Sequence, residues 1–226
     1  MSTAYRSVNN VAPGSLLAER AYDELRAAIL ENRLPPGTAM SVPALADRMG
    51  ISRSPVREAV QRLIHDGLAT HVPHRGAEVS SVDVEDLRQL YVVRESLEGL
   101  AARLATERLD VAALADLEGI LGDHALVLAE GGDEGAHIRQ DMLFHQAIRN
   151  LSGNAHLIGI LDRIQGKAHL GLHSLWRHPH APRLALEEHR EIYDAMSAGD
   201  PEAAERAARN HVTRLRVRLS QSAPQR

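Results

Sequence analysis

Ala44-Leu45-Ala46-Asp47-Arg48-Met49-Gly50-Ile51-Ser52-Arg53-Ser54-Pro55-Val56-Arg57-Glu58-Ala59 is the stretch whose reading decides the fold. Ser41 is placed to cap a short helix ending at Met49. Gly50 supplies the turn, and Ile51 can plug the core beneath it. Ser54 then reads as the cap of a further helix, with Pro55 at its first position, where a missing N–H costs nothing. That helix is expected to run to about His65, with Gly67 ending it.

Working outward, Ser15 is expected to cap a first helix that runs to about Glu31 and turns Ala21, Leu25 and Ala28 inward. Leu34-Pro35-Pro36-Gly37 breaks it. Beyond Gly67, Leu68–Val72 and Ala77–Ser80 are strand candidates around Pro73-His74-Arg75-Gly76. Two short helices joined through a glycine and followed by a hairpin form the pattern of a winged helix-turn-helix. In such a unit the last helix puts its N-terminal side chains into the major groove. Arg53 and Arg57, four residues apart, can face one side of it. A guanidinium fork suits guanine edges or phosphates. Ser52 and Ser54 add donors, and Arg75-Gly76 gives a compact cationic hairpin tip. By spacing alone, ordinary solvated arginines fit equally well.

The balance of charge permits this reading without demanding it. The chain has 226 residues and a formal charge of −4, with 25 Arg and a single Lys among the basic residues. Residues 1–80 carry +1 and residues 81–226 carry −5, and ten of the 13 His lie in the second part. There is no cysteine, which excludes disulfides, thiolate zinc sites, iron–sulfur clusters and cysteine nucleophiles. No apolar run reaches the length of a membrane span, so a soluble, cytoplasmic protein with no membrane partner is expected.

After residue 83 the pattern changes to long amphipathic helices. About six are expected: Asp83 to about Glu107, Val111–Glu130, about 136–151, His156–Trp176, about 183–198, and one that begins at Gly199-Asp200-Pro201 and runs to about Leu219. The fold class is thus mainly α: a winged helix-turn-helix over residues 14–80, then an all-helical bundle over 83–219. Residues 1–13 and 220–226 read as flexible ends. Such a bundle can enclose a cavity between its helices.

Two features of the bundle carry chemistry. Asp141 and His145 are spaced i, i+4 on a stripe with Ile138 and Ile148, so they should point inward. His189 shares a stripe with Ile192, Tyr193 and Met196, and His211 with Ala204, Ala208 and Leu215. A buried carboxylate and three buried imidazoles need partners, and one divalent ion would satisfy all four. The donor set suits Zn²⁺, Ni²⁺, Mn²⁺ or Fe²⁺ better than Ca²⁺ or Mg²⁺. Hydrogen-bonded core histidines are the commoner arrangement, and His169/His173 form a rival pair at the same spacing. His178 and His180 read as solvated loop residues. The second feature is Arg94, which falls inside the apolar stripe of Leu87, Leu90, Tyr91, Leu97, Ala101 and Leu104. A guanidinium facing a core needs an anion. Glu95 or Glu98 of its own helix can serve, or the carboxylate of a bound ligand in a bidentate clamp. Trp176, the only Trp, can wall a pocket there or simply pack in the core.

Ala44-Leu45-Ala46, Met49 through Ala59, Leu63, Asp66-Gly67-Leu68 and Arg75-Gly76 together resemble the reader domain of the GntR family, over roughly residues 14–80. The resemblance implies a winged-helix regulator that binds double-stranded operator DNA as a homodimer. Carried over by position, Arg53, Ser54 and Arg57 would touch bases or phosphates, with Arg75 and Gly76 in the wing. One position departs: Pro43 stands where many relatives carry an Arg. Arg94-Glu95-Ser96-Leu97-Glu98, Asp141-Met142-Leu143-Phe144-His145, Glu188-His189 with Ile192, Gly199-Asp200 with Ala203, and His211 are similar to the all-helical effector (FCD) domain of the FadR-type branch, over about 85–215. Metal-containing members use an Asp and three His at these positions, so the resemblance implies Asp141, His145, His189 and His211 as ligands. It further implies a small organic-acid effector bound between the metal and Arg94, with Trp176 nearby. A ligand-responsive regulator is the expected function. A metal sensor, and more remotely a metallohydrolase, are the alternatives.

Overall fold

The computed structural model describes residues 13–73, 75–176 and 180–222. It holds nine helices and one two-stranded sheet among them. The reader end contains α1 (Pro13–Leu30), α2 (Val42–Met49), α3 (Arg53–His65), β1 (Ala69–Val72) and β2 (Gly76–Val79). The other end is α4 (Val84–Thr106), α5 (Val111–Ala129), α6 (Glu134–Leu151), α7 (Ala155–Trp176), α8 (Ala181–Ser197) and α9 (Pro201–Ser222). No described helix is long and apolar enough to cross a membrane.

Five helix ends differ from the sequence expectation by two residues or more; two of them are the starts of α6, at Glu134 rather than about 136, and of α8, at Ala181 rather than about 183. α1 begins at Pro13, so Ser15 lies inside its first turn and is not the cap. A proline is pre-set for the first helical position, which favours the earlier start. α3 begins at Arg53, its cap is Ser52, and Pro55 is the third helical residue rather than the first. The first four N–H groups of a helix have no internal acceptor, so proline is tolerated there as well. α9 continues to Ser222, beyond the end expected at Leu219. Of the ends read as flexible, 1–13 and 220–226, Pro13 belongs to α1 and residues 220–222 to α9, and the remainder lies outside the described residues.

The reader core forms where the periodicity placed it. Ala21, Leu25 and Ala28 of α1 are buried against Val56, Ala59 and Leu63 of α3. Gly50 caps α2 in the left-handed region, at φ 65°, where a Cβ would be strained. Ile51 packs against the core beneath it. The strands pair antiparallel from Ala69 with Val79 to Val72 with Gly76. The segment Gly37–Met40, read only as a breaker and its continuation, adds a third rung. Gly37 and Met40 donate to the carbonyls of Val79 and Ala77, and Val79 donates to Thr38. Backbone bonds of this kind cover an otherwise open sheet edge.

In the helical bundle α4 and α9 form the most extensive helix pair. Arg209 and Arg216 of α9 both reach Glu95 of α4 along this seam. Asp83 caps α4, Asp110 caps α5 and Asp133 caps α6, each accepting from a backbone N–H of the first turn. At the stop between α8 and α9, Asp200 accepts from the N–H of Ala203, and Pro201 opens α9.

The two ends of the chain share one apolar cluster. Leu68, Ala69 and Val79 of the reader belong to the same core as Leu87, Tyr91, Ala168 and Leu170 of the bundle. α7 comes so close that a Cβ on Gly166 would lie 2.9 Å from Leu68 Cγ and 3.2 Å from the Asp66 carbonyl oxygen. Glu31 at the end of α1 pairs with Arg139 of α6 at 2.9 Å. Gly166→Val is therefore expected to lower stability by about 1–3 kcal/mol through overpacking at the seam, measured as a reduced urea midpoint; an unchanged midpoint would remove this contact from the account.

Candidate metal centre and DNA-reading face

Asp141, His145, His189 and His211 converge from three helices. α6 carries the first two, α8 the third and α9 the fourth. All four are buried, and one ligand atom from each lies within 4.8 Å of every other. His145 Nε2 is 3.2 Å from His211 Nε2 and 3.8 Å from Asp141 Oδ1. His189 Nε2 is 3.4 Å from the same oxygen. Ligands about 2.0–2.2 Å from one ion are separated by about 3.0–3.5 Å, so these edges suit a single small cation.

The protonation pattern supports the same fit. His211 Nδ1 lies 2.8 Å from Glu188 Oε2, and His145 Nδ1 lies 3.5 Å from Glu98 Oε2. A ring nitrogen facing a carboxylate carries the proton, so Nε2 keeps its lone pair. The two Nε2 atoms at 3.2 Å then oppose lone pair to lone pair, which calls for a cation between them. Burial pushes His145 down to about 3 despite the raising influence of Glu98, which keeps the ring neutral and able to coordinate. His211 is lowered by burial as well, with Glu188 opposing. Neither oxygen of Asp141 has a hydrogen-bond partner within good geometry among the described residues, nor does either nitrogen of His189. Such orphaned groups are costly in an interior unless something completes them. Burial alone would raise Asp141. The neighbouring His169 and His189 together with His145 outweigh it and hold the carboxyl well below its usual range.

Several neighbours of the cluster fall outside the four. His169 of α7 is fully buried, 3.6 Å from Asp141 Oδ2. The two histidine readings are therefore not exclusive, because His169 joins the same centre; the side chain of His173 lies outside the described residues. Phe144 stacks on His189 with centroids 4.4 Å apart. His124, also buried, sits 6.2 Å from His189 ring to ring. Glu188 is anchored by Arg218 at 2.8 and 2.9 Å. The spacing of these groups gave no warning of Glu188 or His124, although Glu188 adjoins His189 in sequence.

Arg94 is 1% exposed, and its Nε donates to Glu98 Oε1 at 3.1 Å. Its two terminal nitrogens are buried without an acceptor among the described residues. The internal pair foreseen with Glu98 thus forms, yet it leaves the fork of the guanidinium open. Tyr91 lies beneath, with its ring centroid 5.5 Å from Arg94 Cζ. Trp176 ends α7, and its side chain lies outside the described residues. His180 is exposed at the start of α8, and His178 lies outside the described residues.

At the reader end, Ser52, Arg53, Ser54 and Arg57 are exposed at the start of α3. Arg75 and Gly76 are exposed at the hairpin tip. A groove of about 360 Å³ runs between them, lined by Pro43, Arg57, Gln61, His71 and Arg75 among others. The face is cationic and carries no acidic lining residue, as a surface meeting phosphates requires.

A winged helix-turn-helix with a cationic reading face, joined to an all-helical bundle with a polar interior, defines a DNA-binding transcription regulator. The chain matches the gntR family of bacterial regulatory proteins over residues 17–79 and the FCD domain over residues 89–214. It belongs to the GntR family and carries an FCD domain. It is 31% identical to a probable D-xylose utilization operon transcriptional repressor of Paenarthrobacter nicotinovorans, over 87% of this chain and 85% of that one. It is 25% identical to the transcriptional repressor RspR of Escherichia coli, over 90% and 89%. The solved structure of E. coli McbR/YncC superposes with a TM-score of 0.81 at 26% identity, covering 91% of this chain and 97% of that one. These relatives are regulators and not enzymes, so the metallohydrolase alternative is set aside.

The buried histidines give the metal-free protein a defined acid response. His145 is held down to about 3 and His169 to about 4, in both cases first by burial, against an ordinary value of 6.5. Below 6.5 the unfolded chain binds protons that the folded chain refuses, so stability is complete above that value and declines as pH falls toward 4. The depressed Asp141 acts in the same direction at lower pH. Urea midpoints of chelator-treated protein are expected to fall steadily from pH 7 to pH 5; a flat profile would contradict the buried, neutral imidazoles.

Proposed function

We propose that this regulator is a homodimer, a repressor, whose hold on operator DNA is set by a small organic acid bound at a metal site in the bundle. The reader comprises residues 14–80 and the effector domain residues 83–219. The observation that carries the reading is the proximity of two unsatisfied groups in one interior. Asp141, His145, His189 and His211 converge with both Asp141 oxygens and both His189 nitrogens lacking a hydrogen-bond partner among the described residues, and the two terminal nitrogens of Arg94 are buried without an acceptor there. A carboxylate coordinated to a divalent ion satisfies both.

Asp141, His145, His189 and His211 would hold the ion, which is Zn²⁺, Ni²⁺, Mn²⁺ or Fe²⁺ by the chemistry of the donors. When bound, it supplies a Lewis-acid position for one ligand oxygen. Arg94 offers its terminal nitrogens to the carboxylate, and Tyr91 supports the guanidinium from below. In this reading Trp176, the last residue of α7, is a wall of the acid-binding pocket. Ser52, Arg53, Ser54, Arg57, Arg75 and Gly76 engage the duplex, with the arginines reading guanine edges or phosphates. An effector changes operator affinity only by binding the DNA-competent and incompetent arrangements unequally. Work on chromosomal DNA places the protein in the cytoplasm.

Purified protein titrated onto its own promoter and onto a scrambled duplex over a range of salt tests the reader. Specific binding is expected to be about 10³-fold tighter or more, and Arg53→Ala to weaken it by about tenfold to a hundredfold. Equal affinity for both duplexes would refute sequence reading. Metal analysis is expected to find one divalent ion per chain, lost in His145→Ala. A panel of small carboxylates should raise the thermal midpoint of the loaded protein and shift its operator affinity. If operator affinity instead follows metal concentration with no acid present, the ion itself is the signal.

A further inference from the structure

Glu98 is 2% exposed and faces three nitrogen-bearing side chains at once. Oε1 accepts from Arg94 Nε at 3.1 Å. Oε2 lies 3.5 Å from His145 Nδ1 and 3.9 Å from Arg149 Nε. Arg149 is itself buried, and its Nε donates to the backbone carbonyl of His145 at 3.1 Å. Its Nη1 donates to Gln165 Oε1 at 2.5 Å and to Asp162 at 3.3 Å. The ring of His145 is thus addressed by Glu98, and its main chain is tied by an arginine that also attends Glu98.

A carboxylate in this setting stays ionised. Burial would raise it, but the N–H of the His145 ring facing it and the guanidinium charges of Arg149 and Arg94 outweigh burial and hold it far below the ordinary carboxylate range. An imidazole nitrogen turned toward an ionised oxygen in a dry interior cannot present a lone pair there without repulsion, so it carries the proton. Protonation at Nδ1 leaves the lone pair on Nε2, and Nε2 is the atom of His145 that converges with His211 and Asp141. Meanwhile Glu98 engages Arg94 through Nε alone, which leaves both terminal nitrogens without an acceptor.

We propose that Glu98 is the positioning residue of this centre: it selects the Nδ1-protonated tautomer of His145, sets the affinity for the divalent ion, and with its other oxygen holds Arg94 so that its fork stays open. The inference rests on the metal reading given above. It makes one carboxylate the link between the histidine that faces the ion and the arginine that faces the acid. Replacing that carboxylate by an amide lets the side-chain NH₂ turn toward Nδ1, which favours the opposite tautomer and takes the lone pair away from the ion.

Two readouts on the full-length chain test it, with zinc alone as the probe. Long-range ¹H–¹⁵N spectra of metal-free protein labelled at histidine report the tautomer directly, with the His145 signals assigned by their absence in His145→Gln. Wild type is expected to show His145 protonated at Nδ1, Glu98→Asp to retain that form, and Glu98→Gln to lose it. Zinc competition against a chromophoric chelator is expected to show binding about 10–100-fold weaker in Glu98→Gln, a smaller loss in Glu98→Asp, and no change in Glu95→Gln three residues earlier on α4. An unchanged tautomer with unchanged zinc affinity in Glu98→Gln overturns the proposal. If that variant does not fold, wild type and Glu98→Asp decide: His145 protonated at Nε2 in wild type overturns it equally. A wild type that binds no zinc, nickel, manganese or iron refutes the metal reading instead, and the tautomer still decides whether Glu98 orients His145.

Discussion

A carboxylate with no access to water governs the interior of the helical domain. Asp141 sits at 1% exposure, and an isolated ionised group in that position would be prohibitively expensive. Everything around it is arranged to tolerate the charge. His145 and His189 approach one oxygen and His169 the other. The surrounding carboxylates are treated in the same way: Glu98 lies among Arg94, Arg149 and His145, and Glu188 among Arg218, Arg214 and His211. A hydrophobic core of equal volume would be at least as stable, because paired buried ions seldom repay their desolvation. Their presence in a bundle otherwise built from Leu, Ala and Ile points to use, not to stability.

The neutral imidazoles and the ionised carboxylates divide the work. Burial removes the proton from His145, His169 and His211, each lowered from its ordinary value. Neighbouring donors and positive charge keep Glu98 and Asp141 ionised against the same burial. The outcome is a site already in the protonation state a divalent ion requires, since ligands must shed their protons before they can bind. The groups of the proposed metal site would not have to shed protons to take up an ion.

Much of this was legible in the sequence, and the parts that were not share a reason. Gly50, Gly67 and Gly199-Asp200-Pro201 announced their turns because turn chemistry is local. The start of α3 was displaced by two residues because proline suits any position in the first turn, so Pro55 could not by itself locate the beginning. The pairing of Gly37–Met40 with β2 left no trace, since backbone hydrogen bonds between distant segments impose no side-chain period. Asp141 and His145 could be paired from their spacing, being on one helix. His189 and His211 lie on separate helices, and only the family resemblance joined them to the pair. His169 looked like a competitor to that set because spacing cannot say whether two stripes meet. The structure brings His169 to the carboxylate of Asp141. Glu98 was visible only as one of two partners for Arg94, because its approach to His145 depends on how α4 packs against α6.

The apolar cluster that runs without interruption from Leu68 and Val79 into Leu87, Tyr91 and Leu170 has a bearing on how this molecule can respond. A reading head hung on a slack tether would sample a continuum of angles, and a signal could only narrow the spread. Here the head is seated in the bundle, with Gly166 pressed against Leu68. Close-packed surfaces exchange one interlocked arrangement for another and do not deform by degrees. Any message from the interior must therefore arrive as a change of seating, with a small number of defined postures at the DNA.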